Sequence, residues 1–171
     1  MKLARLLVWC ALLGLAGWGF VIEPSMLRQR QLQLAVADWQ GPPLTIALAS
    51  DLHIGAPHAG LPMLRRVVDQ LNASQPDLIL LPGDFVIQGV LGGDPVSPPV
   101  IATELGRLKA PLGVFATLGN HDWWHGGEDV RQALSDAGIT VLDNSAISLT
   151  GTATPLWLIG FGDAMTVHAA A

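Results

Sequence analysis

The stretch "LTIALASDLHIG", Leu44–Gly55, opens as an almost unbroken apolar run and then turns polar within a few residues. A short apolar run of this kind, set off by the turn "GPP" (41–43), reads as a β-strand covered on both faces. A buried strand has no use for a carboxylate and an imidazole two positions apart. Asp51 and His53 therefore belong to the segment that leaves the strand. The pattern recurs twice: "PDLILLPGD" (76–84) ends in Asp84, and "PLGVFATLGN" (111–120) ends in Asn120, with His121 and Asp122 directly behind it.

Helical patterns fill the intervals. In "LPMLRRVVDQLN" (61–72), Leu61, Leu64, Val67, Val68 and Leu71 recur at helical spacing, with Pro62 near the start. A Gly/Pro-rich loop over 86–99 leads to a helix expected from about Val100 to Leu108. "GEDVRQALSDAG" (127–138) reads as a helix with acidic residues in its first turn and Gly138 at its end. "ITVLD", "SAISLT" and "PLWLIGFGD" follow as strands, and "LQLAVADW" (32–39) alternates as a first edge strand would. Strands alternating with helices imply an α/β fold whose central strands are parallel. The C-terminal ends of parallel strands share one edge of the sheet, and ligands bind there. Asp51, His53, Asp84, Asn120, His121 and Asp122 are thus expected to converge.

The 171 residues suffice for one domain with a real core. Only 13% of them are charged, a low share that points to a membrane segment. Leu6–Ile22, "LLVWCALLGLAGWGFVI", carries no charge and follows Lys2 and Arg5. As a helix it would span roughly 26 Å, just short of a ~30 Å hydrocarbon core. An uncleaved anchor is favoured over a cleaved signal peptide, because no small-x-small site directly precedes "EPSMLRQR". The bulky Trp9 argues against lipid attachment at Cys10, and a single cysteine excludes an intramolecular disulfide. Lys2 and Arg5 tip the orientation slightly towards an extracytoplasmic domain, although Arg28 and Arg30 beyond the span weaken that count. The expected organisation is an anchor or signal segment over 1–22, a juxtamembrane linker with the edge strand over 23–43, and the globular part over 44–171. A net charge of -5 gives no reason to expect nucleic-acid binding. A phosphorylated substrate stays open if metal ions supply positive charge.

The converging groups offer carboxylates, imidazoles and an amide oxygen. Mixed oxygen and nitrogen donors suit Mn, Fe or Zn ions better than Ca. A carboxylate between two cations can bridge them, and two cations about 3.5–4 Å apart can activate water for phosphoryl transfer. Each block alone is weak: Gly-Asp is a common turn, and Asn-His-Asp can cap a helix. Capping does not call for histidines at two of three strand ends.

Together, "SDLHIG", "LPGDFV" and "LGNHDWW" resemble the D-x-H, G-D and G-N-H-D blocks of the calcineurin-like metallophosphoesterase superfamily. With the N-terminal hydrophobic segment, "GNHDWW" is similar to its membrane-associated bacterial branch. The resemblance covers roughly 44–163. It implies a mixed β-sandwich, two packed sheets flanked by helices. It implies two divalent metal ions, Asp51 and His53 on the first, Asp84 bridging, and Asn120 on the second. His121 would donate to the phosphate or its leaving group, and Asp122 would orient His121 through a hydrogen bond. The implied reaction is metal-assisted hydrolysis of a phosphate ester, and the anchor points to a lipid-linked one. The family's later Gly-His and Gly-His-x-His blocks have no counterpart here. The expectation is a C-terminally incomplete domain, weakly active or inactive by itself, the alternative being a non-enzymatic membrane-tethered binding or scaffold module. His58 is expected on a surface loop, the alternative being a place in the pocket lining, His125 to approach only the helix start, and His168 to be incidental. Trp123 and Trp124 are expected to pack, the alternatives being a wall of the site or contact with a lipid surface, and Asp163 to have no metal role.

Overall fold

The computed structural model describes residues 2–37, 39–152 and 155–166. The chain divides into two units, Met1–Gln33 and Leu34–Ala171.

In the first unit, helix α1 (Lys2–Gly17) widens into a π-helical turn, Trp18–Ile22, and ends in a single 3-10 turn, Glu23–Ser25. Pro24 lies in that last turn, where its missing N–H stops the α-helical ladder from continuing. The helical stretch Lys2–Ser25 has 24 residues and contains an 18-residue window of mean hydropathy 1.9, long and apolar enough to cross a membrane. It outruns the uncharged segment 6–22 at both ends.

No strand forms over 32–37. Leu32, Leu34 and Val36 are 81%, 77% and 64% exposed. Alternation makes a strand only where a neighbour offers a ladder, and the nearby strand β1 (Ile46–Leu48) pairs with β2 alone. The expected edge strand is thus corrected to irregular chain. Trp39 closes the turn behind it by donating its indole N–H to the Pro42 carbonyl at 2.8 Å.

The second unit is built on a parallel sheet of β1, β2 (Leu78–Pro82), β3 (Val114–Thr117) and β4 (Thr140–Val141), in that spatial order. Leu48 pairs with Leu80, Pro82 with Thr117, and Ala116 with Val141. Helices α2 (Leu61–Ala73), α3 (Pro98–Leu105) and α4 (Asn120–Asp136) make the crossovers. Crossovers of one hand between neighbouring strands put all three helices on one face. There Ile79, Leu81 and Ala116 of the sheet meet Leu64 and Val68 of α2, Ile101 and Leu105 of α3, and Val130 and Leu134 of α4 in one core. The other face needs its own cover, and an antiparallel hairpin of β5 (Ser145–Leu149) and β6 (Leu156–Gly160) supplies it. Leu78, Phe115, Leu142 and Leu149 form the smaller core between the two sheets.

The result is a mixed α/β architecture of two packed sheets flanked by helices. One boundary differs from the periodicity. The last helix begins at Asn120 rather than near Gly127, with a kink at Gly126 (φ 134°, ψ 74°). Residues 120–122 therefore open a helix instead of ending a strand.

Candidate metal centre

The hydrogen-bonded ladder between β1 and β2 does not stop where the strands end. Asp51 N–H donates to the Gly83 carbonyl (3.3 Å), His53 N–H to that of Asp84 (2.9 Å), and Ile54 N–H to that of Phe85 (2.9 Å). The two exit loops thus run side by side. Both are anchored by apolar residues just beyond the polar ones, since Ile54 and Phe85 are each 1% exposed. Within this frame Asp51, His53 and Asp84 all take left-handed backbone conformations, with φ of 53°, 41° and 58°. Each such residue costs on the order of 1–3 kcal/mol, and such strain concentrates at functional sites.

A ligand atom from each of Asp51, His53 and Asp84 lies within 4.8 Å of the other two. His53 Nε2 is 3.9 Å from Asp84 Oδ2. Among the described residues no lysine or arginine pairs with either carboxylate. Two carboxylates and an imidazole, crowded without a cationic side chain, fit a divalent cation. The oxygen and nitrogen donor set matches Mn, Fe or Zn. Ser50 Oγ lies 2.8 Å from the Pro82 carbonyl oxygen and also against Asp51 Oδ2, which steadies the first carboxylate.

The third block arrives on the first turn of α4. His121 N–H donates to Asp84 Oδ1 at 3.0 Å, which fixes the helix start against the second block. The His121 and His53 rings meet edge to face, 4.8 Å apart and 89° between planes. Asn120 opens the helix between Gly119 and His121.

Asp122 does something other than orient the His121 ring. It is fully buried, and its carboxylate accepts four backbone amides. Oδ2 takes those of Asp84 (2.8 Å) and Gly119 (3.0 Å), and Oδ1 those of Phe85 (2.8 Å) and Val86 (3.3 Å). Burial pushes the carboxyl above its ordinary value, while the amides of Gly119, Phe85, Asp84 and Val86 pull the other way. Asp122 thereby caps α4 and binds the second exit loop to the third.

The group that meets the His121 ring is Gln88, whose Oε1 is 3.0 Å from His121 Nδ1. The sequence placed Gln88 in a Gly/Pro-rich loop and gave it no role. Its one signal was a lone amide directly after three buried apolar residues, Phe85, Val86 and Ile87. Trp124 stands 5.3 Å from the His121 ring and is 57% exposed, so it flanks the site rather than packing. Trp123 does pack, against the main core, with the Arg131 guanidinium 5.5 Å above its ring. His58 is exposed on the loop after β1. His125 lines a groove of about 740 Å³ between α3 and α4 that shares no residue with the cluster. Asp163 accepts the Met165 N–H at 3.0 Å. His168 lies outside the described residues.

A parallel sheet with helices on one face and a hairpin on the other carries clustered carboxylate and imidazole donors at its strand ends, a donor set suited to a divalent cation. The model of the calcineurin-like phosphoesterase family matches residues 44–170, and the chain belongs to that family. It is 33% identical over 115 residues to a UDP-2,3-diacylglucosamine pyrophosphatase of Chlamydia trachomatis, covering 62% of this chain and 31% of that protein. It is 33% identical over 103 residues to a transmembrane protein with a metallophosphoesterase domain from Danio rerio, 60% of this chain and 22% of that one. A phosphodiesterase of Escherichia coli is 29% identical over 153 residues, 86% of this chain and 55% of the relative. The chain therefore spans between about a fifth and just over half the length of these relatives.

Proposed function

We propose that this site hydrolyses phosphate esters with the aid of divalent metal ions. The observation that carries the reading is the convergence of Asp51, His53 and Asp84 from two exit loops, all three with left-handed backbones and, among the described residues, with no lysine or arginine paired to either carboxylate. Asp51 and His53 would hold one cation, Asp84 would reach a second as well, and Asn120 would add an amide oxygen to the second. Cations bound there supply positive charge to the phosphate oxygens and lower the pKa of water, yielding a nucleophile at neutral pH. His121, with its ring beside His53, is placed to donate a proton to the departing oxygen. The backbone bonds of Asp122 hold the loops carrying Asp84 and His121 in register, so that a cation on Asp84 and the His121 ring would face one phosphate group.

Asp84 and Asn120 alone give a second cation only two protein ligands. The reading therefore includes further donors from outside this sequence. The 171-residue chain is expected to bind one cation firmly and to turn over slowly. The domain plan proposed is an anchor or signal segment over 1–22, a juxtamembrane linker over 23–43, and the N-terminal part of a metallophosphoesterase domain over 44–171. The helix Lys2–Ser25 supports membrane attachment. A relative named for a diacylated sugar nucleotide supports a lipid-linked substrate.

The test begins with metal content. The purified chain, equilibrated with Mn and then desalted, should retain about one equivalent, and Asp84→Asn should retain none. The longest natural protein carrying this sequence should hydrolyse an aryl phosphodiester or monoester with Mn, and lose that activity in Asp84→Asn and His121→Ala. A folded chain that binds no metal, together with turnover indifferent to both substitutions, would end the reading.

A further inference from the structure

The Gln88 side chain meets His121 at two points. Its Nε2 donates to the His121 backbone carbonyl, and its Oε1 faces His121 Nδ1 at 3.0 Å. The direction of both bonds follows from chemistry alone. A carbonyl oxygen can only accept, so the Gln88 atom facing it must be the amide NH2. The other end of the same amide is then an oxygen, which also can only accept. The imidazole nitrogen opposite it must therefore carry a hydrogen. We infer that Gln88 is a positioning residue that fixes His121 as the Nδ1–H tautomer and sets the angle of its ring.

The consequence lies at the other ring nitrogen. With Nδ1–H committed to Gln88, proton exchange is confined to Nε2, which has no partner among the described residues. A ring held at one edge by an amide, and at its backbone by the Asp84 carboxylate, presents Nε2 in one direction only. The edge-to-face contact with His53 and the contact with Trp124 add two further restraints on the ring. A histidine that must deliver a proton to one oxygen needs this restriction, because the tautomer with hydrogen on Nε2 has its Nδ1 lone pair pointed at another lone pair. Gln88 is suited to the task because an amide is uncharged: it imposes a tautomer without adding a third negative charge beside Asp51 and Asp84. That this positioning serves catalysis rests on the function proposed above. The tautomer itself does not.

The experiment is long-range nitrogen-15 correlation spectroscopy of the metal-free full chain in detergent micelles, labelled at the histidine rings, in mildly alkaline solution. His121 is assigned by the signal lost in His121→Gln. The wild-type chain should show His121 as Nδ1–H, and Gln88→Leu should lose that pattern. In the active longer protein, Gln88→Leu should lower kcat about tenfold with KM retained, the mark of a group acting through His121. An Nε2–H pattern in the wild-type chain overturns the inference, as does an unchanged Nδ1–H pattern in a folded Gln88→Leu. The wild-type spectrum decides even where the variant fails to fold. Loss of all turnover with the expected tautomer intact would count against the proposed function and leave the inference standing.

Discussion

Gly83 and Gly119 lie back to back where the second and third polar blocks leave the sheet. A Cβ built on Gly83 would sit 2.5 Å from the Gly119 amide nitrogen, and one on Gly119 would overlap the Asp84 carboxylate. The two glycines serve different needs. Gly83 has φ 64° and needs left-handed freedom as well as space. Gly119 has an ordinary extended φ of -90° and needs only the space.

The first prediction follows from that contact. Gly119→Ala should cost about 1–3 kcal/mol, the usual penalty for forcing a methyl into filled space. It should also push the Asp84 carboxylate off its position and weaken metal binding. Thermal unfolding and Mn titration of the same sample read both effects. A variant with native stability and native Mn affinity would show that the close approach is not needed.

Asp122→Asn should be as damaging although it preserves shape. The four amides that Asp122 accepts are shared two to each oxygen. An asparagine would turn an NH2 group toward one of these pairs of N–H donors. Each orphaned buried donor costs about 1–3 kcal/mol, so two of them predict a loss of roughly 2–6 kcal/mol in chemical denaturation. A loss below about 1 kcal/mol would mean that the loops are held by other contacts.

A pH-dependent stability term sits away from the site, between α2 and α3. Glu104 accepts Arg65 Nε at 2.7 Å and Arg107 at 3.0 Å. The Arg65 hydrogen bond is the largest cause of a carboxyl held below its ordinary value of 4.5, with Arg107 adding to it against the cost of burial. A depressed acid stabilises the fold above its unfolded value and stops doing so as pH falls through the folded one. Glu104→Gln should therefore lower the melting temperature at neutral pH, and the gap to wild type should close on acidification below pH 4.5. An equal gap at neutral and acid pH would remove charge from the explanation.

Much of this was legible in the sequence, for reasons that differ by residue. Ile79 and Leu81 announced a buried strand because β2 is covered on both faces. Asp51, His53 and Asp84 stood out because polar groups at the ends of buried strands have no packing role. The helix start at Asn120 was not legible, since what fixes it is the bond from His121 N–H to Asp84, across 37 residues. The same holds for Asp122, three of whose four partners come from the loop over 84–86, and for Gln88, which has no periodic pattern to mark it. The strand expected over 32–39 is missing over 32–37 for the converse reason. Its alternation suits a strand, but among the described residues no strand pairs with it.

The final prediction separates the two roles of Asp51. Without a cation, its carboxylate lies close to that of Asp84 and has only His53 and Ser50 to offset it. Removing its charge should leave the metal-free chain as stable as wild type, or slightly more so. With Mn present the order should invert. A ligand that binds only the folded state stabilises it by about 2.7 kcal/mol at a hundred times its dissociation constant. Wild type should gain that increment, and Asp51→Asn should lose most of it. Melting curves of both proteins with Mn and with chelator give the four values required. If Mn raised the stability of Asp51→Asn as much as that of wild type, the cation would be bound elsewhere, and Asp51 could not be one of its ligands.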